Sequence, residues 1–245
     1  MFRFILIATV LAGFVVQEKD PVVHMSQEPR HRVVFEAGHV RVQDIQIPPG
    51  DTTLFHTHDH AVLYVPISSS RTRSQQLGQE WSGGGAAAAP PATGEGLPAS
   101  APPQVERLGR VSSPASYIEK PMTHRVNNVG DNLFRLVSVA NLSTGTTSNN
   151  DDVSGIHQTP ELMNRHYRAY RIALVAGEAT SAHQHAWPVV VVQQSGGAVG
   201  QDGTDKVTRM PGQYIVHESG VHQLKNAGDK PVEFIEIEVR GATTK

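Results

Sequence analysis

The 245-residue chain has no cysteine, a net charge of only −2, and no apolar run long enough to span a bilayer. Without cysteine there is no disulfide framework, no lipoprotein acceptor and no thiol nucleophile. The near-neutral charge and the lack of a basic run argue against a polyanion-binding surface, so nucleic acid is set aside as a partner. The longest apolar stretch, Phe4 to Val16, falls short of the roughly 20 residues a spanning helix needs. With Arg3 before it and Ala12 and Gly13 near a cleavage point, residues 1–17 read as a signal peptide. The expectation is an exported protein, periplasmic or extracellular, with no stable membrane span.

No long amphipathic helix is visible either; the best local candidate is "PELMNRHYRAY", Pro160 to Tyr170. The rest reads as strands punctuated by Gly and Pro. "HVRVQDIQIPPG" alternates apolar and polar residues, "VEFIEIEVR" alternates imperfectly, and "VVVV" (Val189 to Val192) suits a strand buried on both faces. The fold class is therefore all-β. "SGGGAAAAPPATGEGLPASAPP", residues 82–103, is a low-complexity excursion, and the polar stretch after Leu142 reads as a linker. The expected organisation is an N-terminal arm (18–32), a first domain (33–142) carrying the insertion 82–103, a linker (143–165) and a second domain (166–245).

The two halves repeat one another. Gly50-Asp51 and Gly177-Glu178 precede an H-x-H pair by the same interval, and H-x-x-x-N-x-G-D occurs at His124 and again at His222. With 13 histidines in the chain, chance supplies about 0.7 H-x-H pairs, so a lone pair means little. Two pairs at matched offsets, each followed by a matched second motif, mean far more. On a strand, residues two apart share a face, so His56 projects with His58 and His183 with His185. A third donor from a distant strand, His124 or His222, completes each set. Three protein ligands leave a metal an open position. His60 continues the alternation and reads as a rim residue behind the ligands. His24, His31, His39, His157, His166 and His217 lack partner spacing and default to the surface.

These motifs resemble those of the cupin superfamily in its two-domain (bicupin) form. The first motif matches at Gly50, His56 and His58, and at Gly177, His183 and His185. The second matches loosely through Pro121, His124 and Asn128, and through Gly212, Gly220, His222 and Asn226. The resemblance implies two jelly-roll, antiparallel β-barrels in tandem. The glutamate of the family's first motif is missing: Val62 and Leu63 stand there in one half, Val189 and Val190 in the other. The expected sites are thus neutral 3-His sets with an apolar flank. Imidazole suits Fe, Zn, Cu and Ni alike, and the resemblance puts Fe2+ first, with Zn2+, Ni2+ and Cu2+ as alternatives. Cupins of this type include non-haem iron dioxygenases, which implies a small anionic chelating substrate; the alternative is a non-catalytic bicupin that binds metal or a small molecule. Tyr64, Tyr117, Tyr214 and Glu218 are the side chains expected near the mouths, and a homo-oligomer is compatible with the family.

Overall fold

The computed structural model describes residues 20–83, 109–143 and 159–241. The expected signal peptide (1–17), most of the expected 82–103 insertion and most of the expected 143–165 linker lie outside the described residues. Among those described, no helix is long and apolar enough to cross a membrane.

The strands of the first half are β1 (Val22–His24), β2 (His31–Ala37), β3 (Val40–Ile47), β4 (Phe55–His58), β5 (Ala61–Ser68), β6 (Thr72–Gln76), β7 (Trp81–Gly83), β8 (Met122–Asn128) and β9 (Phe134–Asn141). They form a five-stranded sheet, β1-β4-β8-β6-β7, and a four-stranded sheet, β2-β3-β9-β5. The second half contributes β10 (Leu162–Met163), β11 (Tyr167–Leu174), β12 (His183–His185), β13 (Val189–Gly196), β14 (Val199–Gln201), β15 (Val207–Thr208), β16 (Tyr214–His217), β17 (Gly220–His222), β18 (Leu224–Asn226) and β19 (Val232–Val239). Here β10-β11-β19-β13-β16 is the large sheet, accompanied by β12-β17 and β15-β14-β18. Every sheet draws on one half only. Pairing is antiparallel except for β1, which adds parallel to β4, Val23 beside His56.

Period-two alternation explains how the halves are joined. Ala61, Leu63 and Val65 of β5, Val137 and Val139 of β9, Val190 and Val192 of β13, and Ile235 and Ile237 of β19 all enter one buried cluster. Their neighbours one residue away face the other way: Val62 and Ala140 pack with Met25, while Val189, Val191, Val232 and Phe234 form the second half's own core. A run such as Val189–Val192 is apolar throughout because both of its faces are covered. Cross-links seal the joint. The Tyr167 hydroxyl donates to Ala61 O (2.6 Å) and Val139 O (2.9 Å), and Asn141 Nδ2 donates to Arg240 O (2.7 Å).

Two expectations change. Pro160 to Tyr170 is not helical; it holds β10 and the start of β11, which pair with one another. Within it Arg168 is buried near Glu238, and just beyond it Arg171 is buried too, bonding Glu161 Oε2 and Glu233 Oε1 at 2.6 Å each. The valines and leucine at the motif-glutamate positions are fully buried packing residues. Leu63 and Val190 belong to the core between the halves and do not flank a site.

Candidate metal centres

Each histidine set begins at a tight turn. Gly50 and Gly177 take φ of 78° and 77°, a region closed to most side chains, and this accounts for the repeated glycine. The strand that follows meets its partner in the same register in both halves: His56 opposes His124, and His183 opposes His222. The asparagine of the second motif is a brace. Asn128 Nδ2 donates to Ile47 O and Asn132 O; Asn226 Nδ2 donates to Leu174 O and Lys230 O.

In the first site, the donor atoms of His56, His58 and His124 all lie within 4.8 Å of one another. His56 Nδ1 donates to Leu54 O (2.9 Å), which leaves Nε2 buried with no hydrogen-bond partner. His58 Nδ1 is 3.3 Å from the Tyr64 hydroxyl, and His124 Nδ1 is 3.1 Å from Ser74 Oγ. With the Nδ1 atoms engaged, the Nε2 atoms turn inward, those of His58 and His124 standing 3.0 Å apart. Burial first, then the neighbouring imidazoles, push His56 down to about 3 and His58 to about 2; burial and His31 take His124 to about 4. Three neutral imidazoles aimed at one point are the form in which histidine binds a metal.

The second site has a donor the motifs did not reveal. Glu236 Oε1, on β19, lies 2.7 Å from His183 Nε2, 2.6 Å from His185 Nε2 and 2.8 Å from His222 Nε2. The motif position itself remains Val189 and Val190, so the carboxylate reaches the histidines from the facing sheet. His183 Nδ1 donates to Ser181 O at 2.9 Å, as His56 does to Leu54 O. His185 Nδ1 meets Glu238 Oε2 at 3.0 Å, the carboxylate-to-imidazole contact that fixes a ligand's tautomer. Burial pushes the Glu236 carboxyl up, but the three imidazoles outweigh it and hold the group well below its usual range. Burial depresses His185, yet Glu236 and Glu238 prevail and raise it to about 9. The first cluster thus consists of three imidazoles, and the second adds the Glu236 carboxylate to its three. The one clue in the sequence was a strand that carries three acids, Glu233, Glu236 and Glu238, among its apolar residues.

Other expected residues fall elsewhere. His60 joins His24 and Asp59 in a separate, partly exposed cluster. Tyr64 touches His58, and the Tyr117 ring sits 5.0 Å from it. Tyr214 donates to Val34 O across the joint between the halves, and Glu218 is exposed, its carbonyl contacting His217 Nδ1. Three histidines assigned to the surface are buried: His31, His166 and His217. His31 packs 4.4 Å from the His56 ring and bonds Glu28 Oε2 at 2.8 Å; His217 Nδ1 lies 3.1 Å from His222 Nδ1. His39 is half-buried against Val239 O, His24 is half-buried too, and His157 lies outside the described residues.

No family model matches the chain, and no curated protein matches it. Solved structures do. AerE from Microcystis aeruginosa is similar over 86% of this chain and 98% of its own, at 10% identity and a TM-score of 0.55. A cupin 2 conserved barrel domain protein from Leptotrichia buccalis is similar over 85% and 88%, at 8% identity and TM-score 0.46. Bacillus subtilis oxalate decarboxylase, with its Mn(II) centres, is similar over 85% and 71%, at 10% identity and TM-score 0.45. At such identities the likeness concerns fold. The all-β architecture and the two histidine clusters agree with it: in fold the chain is similar to AerE, and the twice-used histidine motif matches the resemblance to two-domain cupins.

Proposed function

We propose that this is an exported metal-dependent bicupin that takes up a small anionic chelating molecule, and that it acts as a 3-His non-haem dioxygenase with Fe2+ as the favoured metal. The observation that supports it most is the first site: three inward imidazole nitrogens, one of them buried without a partner, held neutral by their surroundings. A divalent ion there would supply Lewis acidity and keep its full charge toward an anion. The residues of the chain would bind and orient that anion and exclude water. The Tyr64 hydroxyl contacts His58 and the Tyr117 ring lies beside it, both pushed upward mainly by burial, so they would stay protonated and not act as phenolates. Export rests on the apolar run Phe4 to Val16.

A second reading is a non-catalytic bicupin that holds metal or a small molecule. It draws support from Glu236, which fills the fourth donor position of the second site. Metal analysis of purified protein, followed by O2 consumption against catechols, diketones and thiols, separates the two. Metal with no O2 uptake on any of them leaves the binder.

A further inference from the structure

The first half carries a further group of donors that the repeated motif does not explain and the second half lacks. After His56 and His58 the chain runs Asp59-His60; after His183 and His185 it runs Ala186-Trp187. Strand β4 has the arm strand β1 along one edge, whereas β12 has only β17 beside it among the described residues. The extra donors and the extra strand therefore occur together. They meet at His24, the last residue of β1.

Strand β4 ends at His58, so the alternation that groups His56 with His58 does not extend to His60. Instead Asp59 Oδ1 stands 3.0 Å from His24 Nε2 and 2.5 Å from His60 Nδ1, and the three donor atoms all lie within 4.8 Å of one another. The two rings are nearly perpendicular, with centroids 6.0 Å apart. Two imidazoles bound to one ion at about 2.0–2.1 Å keep their centroids within about 6.5 Å, so the spacing suits a shared ion. Two imidazoles and a carboxylate fit a transition ion of borderline softness, and three protein donors leave room for water. The side chains are 29–40% exposed, which keeps the cost of desolvating the carboxylate small. With an ion on Nε2, the His24 ring proton sits on Nδ1. Ser26 Oγ, 2.6 Å away, then accepts it in place of the Ser26 N–H contact at 3.2 Å.

The place of the cluster gives it a mechanical role. Strand β1 is three residues long and lies at the edge of its sheet, with Val23 beside His56. His24 and Asp59 are 35 residues apart in sequence, and a metal bridge across such a loop removes closure entropy from the detached state.

We propose that His24, Asp59 and His60 form a third, outer metal site, and that a divalent transition ion bound there clips the N-terminal arm along β4. Detaching the arm carries His24 away and destroys the site, so an occupied site resists detachment. The clip stands apart from the two inner histidine sets and from whatever they hold.

The test compares the full native chain with His24→Asn and His60→Ala, using Zn2+ as the probe. Asparagine keeps an acceptor for Ser26 N, and His60 lies on a different segment, so the two variants share no route to misfolding. In equilibrium dialysis each variant is expected to bind about one Zn2+ equivalent fewer than the native chain. Whatever the inner sets bind is common to all three proteins and cancels in that difference. Amide hydrogen exchange reads the clip itself. At a Zn2+ concentration about ten times the dissociation constant of this site, exchange in residues 22–27 should slow about tenfold more in the native chain than in either variant. Equal Zn2+ content in the native chain and either variant would overturn the site. Equal slowing of residues 22–27 in all three proteins would overturn the clip.

Discussion

Asn128 and Asn226 make the same contacts in the two halves: each Nδ2 donates to two main-chain carbonyls, and each Oδ1 accepts from the glycine two residues on, Gly130 or Gly228. Both side chains are buried, so truncation leaves main-chain groups without partners and without water. Asn128→Ala and Asn226→Ala should each cost about 1–3 kcal/mol of unfolding free energy, read by denaturant titration. A loss within error of zero for either would show that the loop re-forms without its brace.

Metal content tests the two sets separately. His56→Ala and His183→Ala should each lower bound metal by about one equivalent relative to the native chain, measured by elemental analysis after gel filtration. Full metal content in both variants would rule out the pair of sites.

The contact of Glu238 with His185 Nδ1 gives a subtler variant. Glu238→Ala leaves all four donors in place but removes the group that orients one of them. Affinity for the metal at the second site should fall by about 10–100-fold, with the first site unchanged. Competition against a chromophoric chelator measures this.

The buried imidazoles set a pH profile for metal-free protein. Burial, chiefly, pushes His56 to about 3, His58 to about 2, and both His124 and His217 to about 4, against an unfolded value near 6.5. Below that unfolded value the unfolded chain binds more protons, so stability is lost as pH falls through the window from about 6.5 to 4 and beyond. His185 works the other way: raised to about 9, it adds stability that is complete below 6.5 and fades as pH climbs toward 9. Thermal midpoints of chelator-treated protein should therefore drop steadily between pH 6.5 and 4, because the depressed histidines outnumber the raised one. A flat profile there would mean that these rings are already hydrated.

Tyr167 joins the halves through one hydroxyl that donates to two carbonyls of the first half. Tyr167→Phe keeps the ring in the shared core and removes only those bonds. A loss of about 1–2 kcal/mol is expected, with metal content unchanged.

What could be read from the sequence was whatever repeats. The six histidines and the two asparagines are legible because local geometry demands them twice, at the same spacing. Glu236 was not, because its role depends on which sheet faces it. Within "VEFIEIEVR" it differs from Glu233 only in parity, and Glu233 is drawn instead to Arg171. His31 likewise comes from the N-terminal arm, where no spacing links it to His56. The segment from Pro160 to Tyr170 misled because Arg168 is buried near Glu238, and a charge paired in the interior looks, in sequence, like a charge in water. The expected signal peptide and most of the expected insertion 82–103 lie outside the described residues and add nothing to this comparison.

The apolar layer between the halves has an ancestral consequence. A lone half would display the row Leu63, Val65, Val137 and Val139, or its counterpart Val190, Val192, Ile235 and Ile237, to solvent. Such a unit would be obliged to pair with a copy of itself, and in a pair of identical copies any change at a donor position appears in both sites at once. Fusing the two into one polypeptide makes the pairing intramolecular and independent of concentration. It also frees each copy to mutate alone, which is the condition under which one cluster can include Glu236 while the other consists of three histidines.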